Sequence, residues 1–217
     1  MTEIDRIVQS YESRVIRLYA RLRFAILRQV FLEEIGQYLP RRGSILDLGC
    51  GFGLFSLYFA AVEPGRRLLG IDRNERRIRT ARSSAERLGI PNAEYQVADA
   101  LRWESDREFD AIYLLDMIHH LPRAEVPAFL AKVRARLRRG GVLVLKDVED
   151  RPAWKRGFTW LLDRLMVGRA PIHYWPAREL SALLEGLGFQ VVRHRMKDIL
   201  PYPHILYVAR LPGAGGL

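Results

Sequence analysis

The sequence predicts a doubly wound α/β fold: a mostly parallel seven-stranded sheet with helices on both faces, an antiparallel last strand and an N-terminal helical cap. Two observations carry that expectation. From Ser44 onward, short runs that are apolar throughout alternate with helical segments, as strands do when crossover helices cover both faces of a sheet. The first of these runs ends in a glycine-rich turn, Asp47-Leu48-Gly49-Cys50-Gly51-Phe52-Gly53, and a helix follows at once. Open α/β sheets bind ligands at the carboxyl ends of their strands, which is where this turn falls.

Taken in order, residues 4–39 read as helix, with Ile4, Ile7, Val8, Tyr11, Val15, Leu18, Tyr19, Leu22 and Ile26 along one apolar face. Arg14, Arg17, Arg21 and Arg28 share another face. Two readings stay open: a cap with a solvated Arg face, or a basic amphipathic helix lying on a membrane surface. Glu33, Glu34 and the tyrosines favour the cap. The strand-like runs are Ile45–Leu48, Leu68–Ile71, Ala93–Val97, Phe109–Leu115 and Val142–Leu145. Helical segments separate them near Leu54–Ala61, Asn74–Leu88 and Glu125–Leu137, with Pro64-Gly65, Gly89-Ile90-Pro91 and Gly140-Gly141 at the joins. After Lys146-Asp147 the rhythm breaks. Residues 152–175, rich in Trp, Phe, Leu and Arg, read as an inserted helix with a loop, and Ala177–Leu187 as a further helix. Phe189–Arg193 and His204–Ala209 are the last two strands, and Pro201 and Pro203 between them point to an antiparallel return. The expected organisation is a cap over 1–40, an α/β domain over 41–210 with an insertion near 150–176, and a flexible tail over 211–217.

Composition bounds the function. With 49% hydrophobic residues in 217, the chain has material for a full core. Its net charge of +10 raises the expectation of anionic partners, although Arg pairs scattered along the chain also fit a plain basic surface. The single cysteine, Cys50, excludes an intrachain disulfide and a cysteine-cluster metal site. No basic-then-apolar leader opens the chain, and the longest near-apolar run, Leu54–Val62, is too short to span a bilayer. The expected location is the cytoplasm, with membrane association through the basic N-terminal helix as the open alternative.

The glycine turn by itself is ambiguous. Its Gly49, Gly51 and Gly53 are spaced Gly-x-Gly-x-Gly, whereas the dinucleotide fingerprint is Gly-x-Gly-x-x-Gly. What decides is the company it keeps. Gly70-Ile71-Asp72 ends the second strand, and Ala98-Asp99-Ala100 follows the third. Phe109-Asp110-Ala111-Ile112 opens the fourth, which leads into Leu115-Asp116-Met117-Ile118-His119-His120-Leu121. Leu137-Arg138-Arg139-Gly140-Gly141-Val142-Leu143 turns into the fifth. In this order, over residues 43–210, the chain resembles the class I S-adenosylmethionine-dependent methyltransferases of small-molecule type. The resemblance implies S-adenosylmethionine as cofactor, held by Asp47, Gly49, Cys50, Gly51, Asp72, Arg73, Asp99, Ala100, Leu115 and Asp116. Asp72 would take the ribose hydroxyls, Asp99 the adenine amino group, and Asp47 the loop and the methionine ammonium. Each has a plainer alternative: Asp72 as a helix N-cap before Asn74, Asp99 as a turn residue, Cys50 as a small buried residue.

Methyl transfer asks the protein mainly to hold the acceptor in line and, where needed, to take its proton. His119, just past strand four, is the candidate general base, and packing is its alternative role. His120, Trp154 and Tyr174 are the candidate substrate residues, Tyr174 by its likeness to an aromatic residue that similar chains place near the acceptor. No spaced His, Asp or Glu cluster indicates a metal. The insertion, with Trp154, Phe158, Trp160 and Leu165, indicates a hydrophobic acceptor: a quinone, polyketide, isoprenoid or lipid. RNA is the rival acceptor on charge alone, and a non-catalytic scaffold that binds the cofactor is the second alternative.

Overall fold

The computed structural model describes residues 1–148, 173–196 and 204–213. Its strands are β1 (Gly43–Leu48), β2 (Arg66–Asp72), β3 (Ala93–Val97), β4 (Phe109–Leu115), β5 (Leu137–Val148), β6 (Gln190–Arg195) and β7 (His204–Arg210). They form one seven-stranded sheet in the order β3-β2-β1-β4-β5-β7-β6. β1, β2 and β3 are parallel, with Ile45 opposite Leu68 and Leu68 opposite Ala93. β7 runs antiparallel to both β5 and β6, so the expected fold and its reversed last strand are found. The chain divides into two compact units, Met1–Ile112 and Tyr113–Leu217.

In the first unit, the helix expected over 4–39 is three helices: α1 (Glu3–Ser10), α2 (Arg14–Ile26) and α3 (Gln29–Tyr38). Local chemistry sets the breaks. Thr2 and Asp5 close a reciprocal capping box on α1, and Tyr11 ends it in an extended conformation. Ser13 caps α2 by accepting from the Ile16 N–H, and Arg28, again extended, separates α2 from α3. Each break resets the helical phase, so the single apolar face read across residues 4–26 does not persist. Ile7, Val8 and Tyr11 are buried as expected, but Val15, Leu18 and Leu22 are 76%, 58% and 50% exposed. α2 instead buries Ala20, Phe24 and Ile26.

Side chains tie these helices to the sheet side of the unit. The Tyr11 hydroxyl donates to the Phe52 carbonyl at 2.9 Å, and Arg87 donates to the Ser10 carbonyl at 2.6 Å. Arg66, at the start of β2 and 4% exposed, donates to the carbonyls of Gly36, Pro40 and Phe59. α4 (Leu54–Val62) and α5 (Glu75–Leu88) follow β1 and β2. Asn74 caps α5 by accepting from the Arg77 N–H at 3.1 Å, and Gly89 ends it at φ 64°.

The second unit contains β5, β7 and β6, with α6 (Val126–Ala135), α7 (Ala177–Gly186) and a 3₁₀ turn over Ile118–His120. Arg134 fastens α6 to the end of α7 by donating to the Leu187 carbonyl at 2.7 Å. The start of the expected tail is pinned: Leu211 N–H donates to the Gly141 carbonyl, and Gly140 N–H to the Pro212 carbonyl. Residues 214–217 lie outside the described residues, as does the insertion over 149–172 with Trp154.

Candidate cofactor and catalytic site

In the first unit the glycine turn is shaped by backbone geometry that side chains resist. Gly49, Gly51 and Gly53 have φ of 76°, 56° and 78°, in the left-handed region that glycine adopts without steric cost. The N–H groups of Gly49 and Cys50 both donate to the Ile71 carbonyl, at 2.9 and 3.0 Å. That seats the turn on the carboxyl end of β2. The three glycines differ in surroundings. A Cβ on Gly53 would lie 2.8 Å from the Tyr95 hydroxyl and 2.9 Å from the Ala81 Cβ, whereas one on Gly51 would meet nothing within 4 Å. Gly53 is therefore there for packing, and Gly51 faces open space. α4 then begins at Gly53 with no side-chain cap, which leaves its amino-terminal end to a polar ligand.

Asp72 is the second element of this half-site. It is 9% exposed; Oδ2 accepts from the Gly51 N–H at 3.1 Å and Oδ1 from the Asn74 N–H at 2.8 Å. Asn74, not Asp72, is the helix cap. A carboxylate offers about four acceptor sites, so these two bonds orient Asp72 and leave capacity for the two hydroxyls of a ribose. Arg77, 3.9 Å from Asp72 and stacked over the Phe52 ring, adds positive charge beside it. Arg73 is exposed next to it. Asp47 is 4% exposed at the end of β1. Burial pushes the Cys50 thiol well up, and the Asp47 and Asp72 carboxylates push it further. A thiol held neutral in this way is a packing residue and no nucleophile. Asp99 is exposed, and its Oδ1 accepts from the Leu101 N–H at 3.0 Å, with Ala100 half-buried inside the same turn. The turn-forming role read for Asp99 is thus present.

In the second unit the fourth strand's end is held by an ion pair and a histidine–carboxylate hydrogen bond. Asp116, just after Leu115, adopts φ 58°, and no other non-glycine position among the described residues has a positive φ. Its N–H donates to the Lys146 carbonyl at 2.9 Å, and its carboxylate pairs with the Lys146 ammonium, which is 0% exposed. Adjacent to this, His119 is 1% exposed; its Nδ1 bonds Asp147 Oδ1 and its backbone N–H donates to Asp147 Oδ2 at 3.2 Å. Asp147 Oδ1 also accepts from the Val148 N–H at 2.7 Å, so the carboxylate is fixed on its own strand. The His119 carbonyl accepts from the His173 N–H at 2.7 Å. The His119 ring lies 4.0 Å from that of His120 and 6.3 Å from that of Tyr174. Three of the four candidate acceptor-side residues are thus together. Lys146 and Asp147 were seen in sequence only as the end of a strand. The signal was available, since a Lys-Asp pair closing an apolar strand at its carboxyl end is placed for a ligand rather than for the core. Among the described residues, no group of three or more His, Cys, Asp or Glu is placed to hold a metal ion.

Residues 19–194 match a family described as a methyltransferase domain, and the chain belongs to that family. Its domain is of the class I, Rossmann-like kind whose cofactor is S-adenosylmethionine. A ubiquinone biosynthesis O-methyltransferase of Paramagnetospirillum magneticum is 32% identical over 128 residues, 57% of this chain and 49% of that protein. The same name recurs in relatives from Leptothrix cholodnii, Sinorhizobium fredii and Paracidovorax citrulli, and the chain spans about half the length of these proteins. An S-adenosyl-L-methionine-dependent Diels-Alderase of Talaromyces variabilis is 30% identical over 190 residues, 80% of this chain and 62% of that one. The fold is shared with magnesium protoporphyrin IX methyltransferase of Synechocystis, a structure with bound SAH, at a TM-score of 0.69 and 18% identity over 95% of this chain and 93% of that one.

Proposed function

We propose that the protein transfers the methyl group of S-adenosylmethionine to a small hydrophobic acceptor, on a hydroxyl of a quinone-like or similar phenolic compound. The observation that carries the methyl donor is the glycine turn. Gly51 stands open at φ 56° with its N–H bonded to a buried, oriented Asp72, and the uncapped start of α4 lies beside it. When bound, the cofactor supplies a methyl already activated on a sulfonium, so little covalent chemistry is left to the protein. The chain's own residues hold the cofactor through Gly49, Gly51, Asp72 and the turn at Asp99. The O-methyltransferase names of four relatives support the choice of a hydroxyl acceptor.

Removal of the acceptor's proton falls to His119 in this proposal. Asp147 bonds Nδ1 and thereby keeps the ring proton on that nitrogen, so base chemistry belongs to Nε2. Asp147 acts through His119 and is a positioning residue. Tyr174 and His120, whose rings lie beside that of His119, would flank an aromatic acceptor in this proposal. The second reading is a protein that binds the cofactor without transferring its methyl, which the Diels-Alderase relative favours.

The test is calorimetric binding of S-adenosylmethionine followed by detection of S-adenosylhomocysteine release with a panel of phenolic acceptors. Asp72→Asn is expected to weaken cofactor binding at least about tenfold, as the loss of a charge-assisted bond requires. His119→Ala and Asp147→Asn are expected to lower turnover with cofactor affinity unchanged, and the double variant to lose no more than His119→Ala alone. Cofactor binding with no release of S-adenosylhomocysteine from any acceptor would favour the second reading. Absence of binding would end both.

A further inference from the structure

The exposed face of α2 has a composition that calls for a partner. At 3.6 residues per turn, Val15, Leu18, Leu22 and Ala25 fall within an arc of about 80°. All four are exposed, with Leu18 58% and Val15 76% accessible. Arg14, Arg17 and Arg21 occupy the adjoining arc of about 60°, and Arg23 lies beyond the opposite edge, over the Phe55 ring. α2 contains no Asp or Glu. Water-facing leucines on a helix with its other side packed gain nothing from folding, and a one-signed cluster of guanidinium groups beside them repels itself. Next to the stripe, Ile4, Val8, Phe24 and Ala25 line a cavity of about 250 Å³, with Arg21 at its wall facing Asp5 of α1, which offsets that one charge and leaves Arg14 and Arg17 without an acid on their own helix.

We propose that this face of α2 docks on an anionic lipid surface, lying parallel to it, with Val15, Leu18 and Leu22 in the acyl boundary and Arg14, Arg17 and Arg21 on lipid phosphates. Charge complementarity selects this occupant: an apolar stripe alone would suit a second copy of the chain, but two copies would bring six guanidinium groups, Arg14, Arg17 and Arg21 of each, together across a dry contact. Phosphate oxygens match the fork of Arg in a way that another basic helix does not. No described helix is long and apolar enough to cross a membrane, so the contact is peripheral. This inference is independent of the acceptor and of methyl transfer itself.

The experiment is co-sedimentation of the full chain with phosphatidylcholine vesicles, with and without phosphatidylglycerol. Wild type is expected to pellet with the anionic vesicles, and high salt to weaken that binding without abolishing it. Arg14→Gln/Arg17→Gln/Arg21→Gln is expected to lower affinity on the order of a hundredfold at low salt, at roughly a factor of five per charge. Leu18→Asp/Leu22→Asp is expected to lower it at least about tenfold at any salt. Because the leucines are exposed, circular dichroism and melting should match wild type; if that variant fails to fold, Val15→Ser/Leu22→Ser takes its place. Equal binding by the leucine variant and wild type would reduce the effect to the chain's net charge and overturn the proposal. A concentration-dependent dimer that the leucine variant abolishes, without vesicle binding, would assign the face to a second copy and overturn it too.

Discussion

At the scale of single residues, the glycine turn separates two demands that look alike in sequence. Gly51 and Gly53 both need a positive φ, which costs about 1–2 kcal/mol for any other residue. Only at Gly53 is the space beyond the backbone already filled, by buried Tyr95 and by Ala81. Tyr95 has no room to retreat, because its hydroxyl is bonded to Ser56 and its ring also lies against Gly70. Gly53→Ala is therefore expected to lose about 3 kcal/mol or more, strain and overpacking together. Gly51→Ala is expected to lose only the strain, yet to weaken S-adenosylmethionine binding by placing a methyl on the open face. Urea unfolding and cofactor titration of the two variants measure the contrast. If Gly51→Ala binds as wild type does, the open face is not the cofactor face. Three glycines in seven residues announced a tight turn; which of them faces open space depended on Tyr95, some forty residues away in sequence, and no local pattern contains that.

At the scale of elements, legibility followed how local the cause was. The strands read from Ile45, Leu68 and Phe109 were readable because they are largely apolar, and β3 because Ala93 and Tyr95 alternate with exposed Glu94 and Gln96; their ends came within a few residues of the runs read. The N-terminal helix was misread as one piece. Its breaks rest on single side chains, Thr2 with Asp5 and then Ser13, and an unbroken apolar spacing masked them. The His119–Asp147 and Asp116–Lys146 pairs were half legible: the histidine stood out after strand four, but its partner arrives from a strand twenty-eight residues on. Arg66 illustrates the same limit and yields a test. It begins β2, and its guanidinium gathers carbonyls from Gly36 at the end of α3, Pro40 in the following loop and Phe59 in α4. Arg66→Met keeps much of the stem but strands those carbonyls in a buried site. The expected loss is about 3 kcal/mol or more in thermal or urea unfolding, since a charged donor contributes about 1.5–3 kcal/mol per bond and a buried unpaired acceptor adds to the cost. A loss below about 1 kcal/mol, on that scale of single bonds, would mean that α3 is held by its apolar face alone.

At the scale of the whole molecule, the charge is set almost entirely by arginine: of the 35 basic residues only Lys132, Lys146, Lys155 and Lys197 are lysines. Guanidinium groups stay protonated past pH 12, so arginine adds nothing to the alkaline pH dependence of stability, which falls to buried neutral acids. Burial raises Cys50, Tyr11 and Tyr95 above their ordinary values of 9.0 for the thiol and 10.0 for the phenols. Each is therefore neutral in the folded chain at a pH where its unfolded counterpart ionises, and the unfolded state releases protons that the native state keeps. The sign follows: their contribution to stability is complete below the unfolded values and is lost as pH rises from there toward the folded ones. The melting temperature is expected to be level from neutral pH to about 9 and to fall beyond it. In Cys50→Ala the group with the lowest unfolded value is gone, so the decline is expected to begin about one unit higher, where the phenols take over. Calorimetry of both proteins between pH 7 and 11 measures the two onsets. Coincident onsets would show that the Cys50 thiol ionises as readily in the folded chain as in the unfolded one, and the packing role given to it at the cofactor turn would fall.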